Sequence, residues 1–220
     1  MAAGQIIVTG AAGVLGRAVV AHLAKLGYRV VGIDLAADAP GAGEAAFLGG
    51  IDLTDAAAVA TAIGGVGPVA GLVNIAGGFR WETLGDGTAE TWDLLYRMNV
   101  ATAVNACKAA LGALRDSGGA IVNVGAAATL KAGMGMGAYA ASKSGVARLT
   151  EALAEEEKGK VRVNAVLPSI IDTPANRADM PDADFSAWVA PDALADVIAF
   201  LLSDAARAVT GALIPVTGKV

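Results

Sequence analysis

TGAAGVLG, Thr9 to Gly16, follows directly on the apolar run Gln5–Thr9 (QIIVT) and opens a stretch with apolar residues at Val14, Leu15, Ala18, Val19, Leu23 and Leu26. The run reads as a buried strand and the stretch as a helix stopped by Gly27, with His22 the exception on its apolar stripe. Between them a glycine recurs at every third position. Gly10 permits a tight turn, Gly13 lets the backbone approach a pyrophosphate, and Gly16 lets the helix pack closely. The first amides of that helix, where Val14 and Leu15 stand, can donate to phosphate oxygens, and the positive end of the helix dipole favours them. The spacing is G-x-x-G-x-x-G, not the G-x-G-x-x-G of the generic fingerprint, so a plain tight turn is the competing reading. Position strengthens the first. Asp34 ends the next strand, Tyr28–Asp34, where a carboxylate accepts from both ribose hydroxyls of NAD and repels the 2′-phosphate of NADP. A turn or helix cap is the alternative role for Asp34.

Outward from this unit, strand and helix patterns alternate to the end of the chain. Phe47–Ile51, Val69–Asn74, Ala120–Val124, Val161–Leu167 and Ala212–Val216 are strand-like. Thr54 or Asp55 can cap a helix through Ile63, Thr88 or Thr91 opens a long helix to Arg115, Ala138 begins another to Lys158, and Asp192 starts the last, through Leu202. Apolar strands joined by crossover helices imply an α/β fold: a doubly wound parallel sheet of about seven strands with helices on both faces, the Rossmann arrangement. Pro215 inside the final strand implies an edge position or a strand end. No linker or repeat divides the chain, so a single domain over residues 1–220 is expected, with the irregular stretch around 169–190 as a loop over the site.

Composition narrows the function classes. Of 220 residues, 55% are hydrophobic and 17% charged, so a large core is available and global disorder is excluded. A formal net charge of −5 without a basic run argues against nucleic acid or a membrane surface as partner. The uncharged stretch Ala56–Phe79 is long enough to span a bilayer, but Gly64–Pro68 breaks it, and it reads as helix, turn and buried strand. No basic segment precedes the first apolar run, so no leader is expected. One Cys (Cys107) and one His (His22) make neither a disulfide framework nor a typical zinc site, so no metal is expected and a reducing, cytoplasmic setting is.

A second constellation is Tyr139 and Lys143 in YAASK, one helical turn apart on one face. A phenol titrates near pH 10, and a neighbouring ammonium is expected to lower that value and make Tyr139 a usable proton donor. A half-buried Tyr beside a solvated Lys is the bland alternative for this pair taken alone.

Taken together, TGxxGxxG, Asp34, NIAG (Asn74–Gly77) after the fourth strand and YxxxK after the fifth resemble the short-chain dehydrogenase/reductase family along the whole chain. The resemblance implies Tyr139 as general acid, Lys143 on the nicotinamide ribose and Asn99 as support for a proton relay. It puts Asp52 and Leu53 beside the adenine, Asn74, Ala76 and Gly77 under the adenosine ribose, and the Ile171 backbone and Thr173 on the nicotinamide carboxamide. It also implies pairing of the two long helices, Thr91–Arg115 and Ala138–Lys158, in a homodimer or homotetramer. One departure stands out: Ala126 occupies the position, thirteen residues before the Tyr, of the serine that binds the substrate oxygen. Within the family, AGGF (Ala76–Phe79), GAAATL (Gly125–Leu130) and Asp172–Trp188 are similar to dihydropteridine reductase, which also has alanine there. An NADH-dependent reduction of a conjugated heterocycle is therefore expected, with Phe79, Trp81, Met134, Met136 and Trp188 as apolar walls. A carbonyl or alcohol dehydrogenase and a catalytically silent NAD-binding regulator are the alternatives.

Overall fold

The computed structural model describes residues 4–38 and 45–219. In chain order the elements are β1 (Gln5–Thr9), α1 (Val14–Lys25), β2 (Arg29–Ile33), β3 (Ala46–Leu48), α2 (Ala56–Gly64), β4 (Val69–Asn74), α3 (Ala89–Tyr96), α4 (Thr102–Ser117), β5 (Ala120–Val124), α5 (Gly137–Glu156), β6 (Arg162–Pro168), α6 (Pro174–Asp179), α7 (Pro191–Leu202) and β7 (Leu213–Val216). A π-helical turn, Arg97–Ala101, joins α3 to α4. The strands form one parallel sheet in the order β3-β2-β1-β4-β5-β6-β7. The order reverses between β1 and β4, which opens a crevice at their carboxyl ends. Pro215 lies on the edge strand β7, where its missing amide interrupts no inner ladder. Ala56–Phe79 is the helix, turn and buried strand that its glycines imply, and no helix among the described residues is long and apolar enough to cross a membrane.

Each inner strand sends alternate side chains to opposite faces. Ile6 and Val8 of β1 and Val122 and Val124 of β5 meet Leu15, Val19 and Leu23 of α1 and Leu194, Ile198 and Leu201 of α7. Ile7 and Ile121 point the other way, to Val59 and Ile63 of α2, Ala106, Ala110 and Leu114 of α4, and Leu153 of α5. A fully buried leucine or isoleucine contributes about 1.5–3 kcal/mol, so this two-faced core fixes the sheet on which the crevice depends.

Polar groups inside the core fix register. Asn74 Nδ2 donates to Asn123 Oδ1 at 2.9 Å and toward Cys107 Sγ at 3.3 Å, Asn123 Nδ2 donates to Thr150 Oγ1 at 2.9 Å, and Thr150 Oγ1 donates to the Val146 carbonyl at 2.8 Å. The relay runs from β4 through β5 into α5. Arg162, at the start of β6, closes the carboxyl end of α7 by donating to the carbonyls of Leu201, Leu202, Ser203 and Ala206. At Glu155–Glu157 the first two acids are exposed, as a sequence reading of this stretch expects, and the third is not. A solvated helix end is expected there, but Glu157 is only 2% exposed and takes both arms of the Arg115 guanidinium, which holds its carboxyl below the usual range.

Candidate active site

The first turn of the site is built from backbone. Gly10 has φ +69°, and a Cβ on it would stand 2.7 Å from the Ala76 amide. A Cβ on Gly16 would strike the Gly10 carbonyl. Gly13 caps α1 without a side-chain hydrogen bond, and no acidic residue occupies the helix's first turn. The leading amides, at Val14 and Leu15, are therefore not consumed by a capping side chain. A cradle lined by main chain, closed to any larger side chain and set at a positive helix end, fits the pyrophosphate of a dinucleotide.

Asp34 lies beside this cradle. Its carboxylate accepts from the Ala12 amide at 2.9 Å and the Ala36 amide at 3.0 Å. It thus acts as a turn cap and also presents its charge at the mouth of the glycine loop. Arg17, exposed, donates to the Ala12 carbonyl at 2.7 Å on the same loop. Asp52 is exposed and accepts from the Thr54 amide and hydroxyl, both at 2.8 Å, which holds its carboxyl below the usual range. Leu53 is buried in the core below, and its carbonyl accepts from Asn105 Nδ2 at 3.0 Å. The Asn74 side chain points into the sheet, so only its backbone faces the crevice rim. Thr9 Oγ1 accepts from the Ile75 and Ala76 amides, at 3.2 and 3.4 Å, and so shapes the turn that carries Ala76 and Gly77.

Asn99 sits in the π-helical turn, 1% exposed. Its Oδ1 accepts from the Gly78 amide at 2.9 Å, and its Nδ2 donates to the Gly78 carbonyl at 3.1 Å and to Ser142 Oγ at 2.9 Å. Ser142 Oγ in turn donates to the Tyr139 carbonyl at 2.7 Å. One amide side chain therefore ties the β4 loop to the helix that carries Tyr139 and Lys143. A Cβ on Gly77 would collide with that Asn99 oxygen and lie 3.5 Å from Lys143 Nζ, so only glycine allows this approach. Such π turns recur at functional sites because they re-aim a side chain that regular helix would direct elsewhere.

Lys143 is 6% exposed, and its Nζ donates to the Val124 carbonyl at 2.9 Å. Burial brings its ammonium down to about 8. Burial also pushes the Tyr139 phenol up to about 12. This corrects the expectation that Lys143 acidifies Tyr139: desolvation of the phenol dominates, and the ammonium is committed to the end of β5. Tyr139 is therefore a protonated donor throughout the neutral range. The Phe79 ring meets it edge-on, with centroids 4.9 Å apart and planes at 84°. Ala126, 4% exposed, presents a methyl group at the end of β5 where the family's serine would present a hydroxyl.

The segment after β6 is more ordered than its prolines and glycine-poor irregularity suggest. Thr173 Oγ1 caps α6 by accepting from the Asn176 amide at 3.1 Å, while Asn176 Nδ2 donates to the Ile171 carbonyl at 2.7 Å. Ile171 also bridges to Val189. Asp172 and Arg177 pair through two bonds, 2.6 and 2.7 Å, and Arg177 lies over the Phe185 ring. Of the expected apolar walls, Phe79, Trp81 and Met134 are exposed, and Trp81 lies across Gly135. Trp188 corrects the expectation: it is buried and packs on Phe185, with centroids 4.8 Å apart, because the bridge to Val189 draws it under the loop. Sequence reading missed Ser142, which lies inside YAASK beside the two residues that drew attention, and Asn176 and Asn123, which belong to no motif of fixed spacing. Cys107 and His22 lie outside the crevice: the thiol is buried and pushed up to about 12, and His22 pairs with Asp196 at 3.2 Å.

A profile of the short chain dehydrogenase family matches residues 5–184. The chain is 34% identical to 2-(S)-hydroxypropyl-CoM dehydrogenase 3 of Xanthobacter autotrophicus, over 97% of this chain and 94% of that one. It is 30% identical to L-xylulose reductase of Bos taurus, over 99% and 96%. Among solved structures, an oxidoreductase of the short chain dehydrogenase/reductase family from Burkholderia thailandensis superposes with a TM-score of 0.85 at 33% identity, covering 98% of this chain and 92% of that one.

Proposed function

This chain belongs to the short-chain dehydrogenase family and is an NAD(P)-dependent oxidoreductase, and from that premise we propose that it reduces a conjugated, nitrogen-containing acceptor of dihydropteridine type, with NADH as preferred reductant. The observation that carries this reading is the methyl group of Ala126 at the end of β5, beside a phenol that burial keeps protonated. A ketone needs a second hydrogen bond to hold its oxygen as negative charge develops. A conjugated ring instead spreads that charge and takes a proton at nitrogen, which a single donor can supply.

Bound NADH supplies the hydride. Gly10, Gly13, Val14, Leu15 and Gly16 would hold its pyrophosphate, Asp34 its adenosine ribose, and Asp52, Leu53, Asn74, Ala76 and Gly77 the surroundings of the adenine half. The carboxylate of Asp34 would repel a 2′-phosphate, which supports NADH over NADPH. Lys143 would take the nicotinamide ribose hydroxyls, and Ile171 and Thr173 the carboxamide. Tyr139 holds the proton at Oη and releases it to the acceptor. Asn99 keeps the Gly78 loop and the Tyr139 helix in register, and Phe79 offers a flat face beside the phenol. The stretch 169–190 would close over the acceptor.

A second reading, a carbonyl or alcohol dehydrogenase, is favoured by the relatives, which include an L-xylulose reductase and a 2-(S)-hydroxypropyl-CoM dehydrogenase. One assay separates them: loss of NADH absorbance with quinonoid dihydropterin or with a simple ketone as acceptor. Rapid oxidation by the pterin supports the first; turnover of the ketone alone transfers the conclusion to the second. Exposed small residues on α4 and α5 (Gly112, Ala141, Ala152) support pairing of these helices between subunits, which sedimentation would test.

A further inference from the structure

Buried polar side-chain atoms in native proteins almost always have a partner, and an exception calls for an explanation. Among the described residues the exception is the Thr129 hydroxyl, buried and without a hydrogen bond. By contrast, Asn74, Asn99, Asn123 and Thr150 are all engaged. Thr129 is the last residue of a short 3₁₀ turn, Ala127–Thr129, that Ala126 opens, and its amide donates to the Ala126 carbonyl at 3.0 Å. That bond sets Thr129 one turn beyond Ala126, whose own backbone is still extended at the end of β5. The turn packs against α5, which carries Tyr139, and against β6. Its other members are alanines, so Thr129 brings the one hydroxyl of the Gly125–Leu130 segment.

Resting on the reading of this crevice as the hydride-transfer site, we infer that Thr129 is a specificity-determining residue whose hydroxyl meets the polar edge of the acceptor. A hydroxyl both donates and accepts, and rotation about Cα–Cβ exchanges it with the methyl group. It matches the ring amide of a pterin, with N–H and C=O side by side. A small ketone bound at Tyr139 does not extend one turn back, so the residue selects for extended, amide-bearing rings.

The test compares wild type, Thr129→Val and Thr129→Ser on three acceptors: quinonoid dihydropterin, isatin (a flat ketone with a ring amide) and cyclohexanone. Thr129→Val is expected to raise KM about fivefold for the amide-bearing acceptors, the size of one lost neutral hydrogen bond. Thr129→Ser is expected to restore it, with cyclohexanone kinetics, kcat and the fluorescence-measured Kd for NADH unchanged. Relief of the unpartnered hydroxyl is expected to raise the melting temperature of Thr129→Val by about 2–4 °C. A raised melting temperature with unchanged KM on every acceptor makes the hydroxyl a packing flaw and overturns the inference, as does an equal KM change on cyclohexanone. Turnover of isatin but not of the pterin refutes the dihydropteridine reading alone, and the inference then stands or falls on isatin. Turnover of neither overturns both.

Discussion

Lys143→Met is expected to make the protein more stable at neutral pH while abolishing its activity. The ammonium ordinarily titrates near 10.5, and burial brings it to about 8 in the folded chain. At about 1.4 kcal/mol per unit, the native state carries about 3 kcal/mol of desolvation cost wherever Lys143 is charged in both states, that is, below pH 8. Methionine fills similar space without charge. Loss of the 2.9 Å bond to the Val124 carbonyl returns about 1–2 kcal/mol, so a net gain of about 1–2 kcal/mol is expected at pH 7. The sign then changes with pH. Above pH 8 the folded chain sheds the proton while the unfolded chain still binds it, so wild-type stability rises toward pH 10.5. Between pH 8 and 9.5 this recovers about 2 kcal/mol, and the advantage of the variant disappears. Equilibrium urea unfolding at both pH values measures the difference directly. A variant less stable than wild type at pH 7, or a gap of the same size at both values, would refute the desolvation argument.

Tyr139→Phe is expected to cut turnover by about 10² or more with NADH binding intact, seen in steady-state rates beside fluorescence titration; equal turnover would remove the phenol from the chemistry. Because the phenol is pushed up to about 12 and Lys143 down to about 8, the reduction rate is expected to fall as pH rises through 8, from loss of the Lys143 charge, with no second fall below pH 11. Asp34→Ala is expected to weaken NADH and narrow its preference over NADPH, and a wild type that already prefers NADPH would contradict the role given to Asp34. Asn123→Leu leaves Asn74 and Thr150 short of partners and is expected to cost about 2–3 kcal/mol in urea unfolding, with less than additive loss when combined with Asn74→Leu.

Features written in local pattern were legible before the structure. The apolar runs Gln5–Thr9, Val69–Asn74 and Ala120–Val124 are strands with those bounds, since a strand buried on both faces admits little else. Gly10 and Gly16 stand where backbone meets backbone, and Asp55, one of two candidate caps, accepts from the Ala57 and Ala58 amides. What depends on distant partners was not legible. Glu157 looks like one of three solvated acids until Arg115, more than forty residues earlier, folds onto it. Phe47–Ile51 shortens to Ala46–Leu48 because the chain turns at Gly49 and Gly50 toward Ala36. Tyr139 and Lys143 were identifiable by spacing, but their acidities follow from burial, which spacing does not report.

RMNVA, Arg97 to Ala101, holds neither glycine nor proline, yet here the helix accommodates one residue more than its regular course would take. Each residue in an α-helix advances the azimuth by about 100°. Excising a single position from this segment would leave a longer uninterrupted rod with nearly all of its main-chain bonding, and would swing one half around the axis relative to the other. Asn99 would then leave Gly78 and Ser142 together. Length at this point is therefore as tightly constrained as identity, and a shortened descendant of this chain could keep its architecture and lose its alignment in one step.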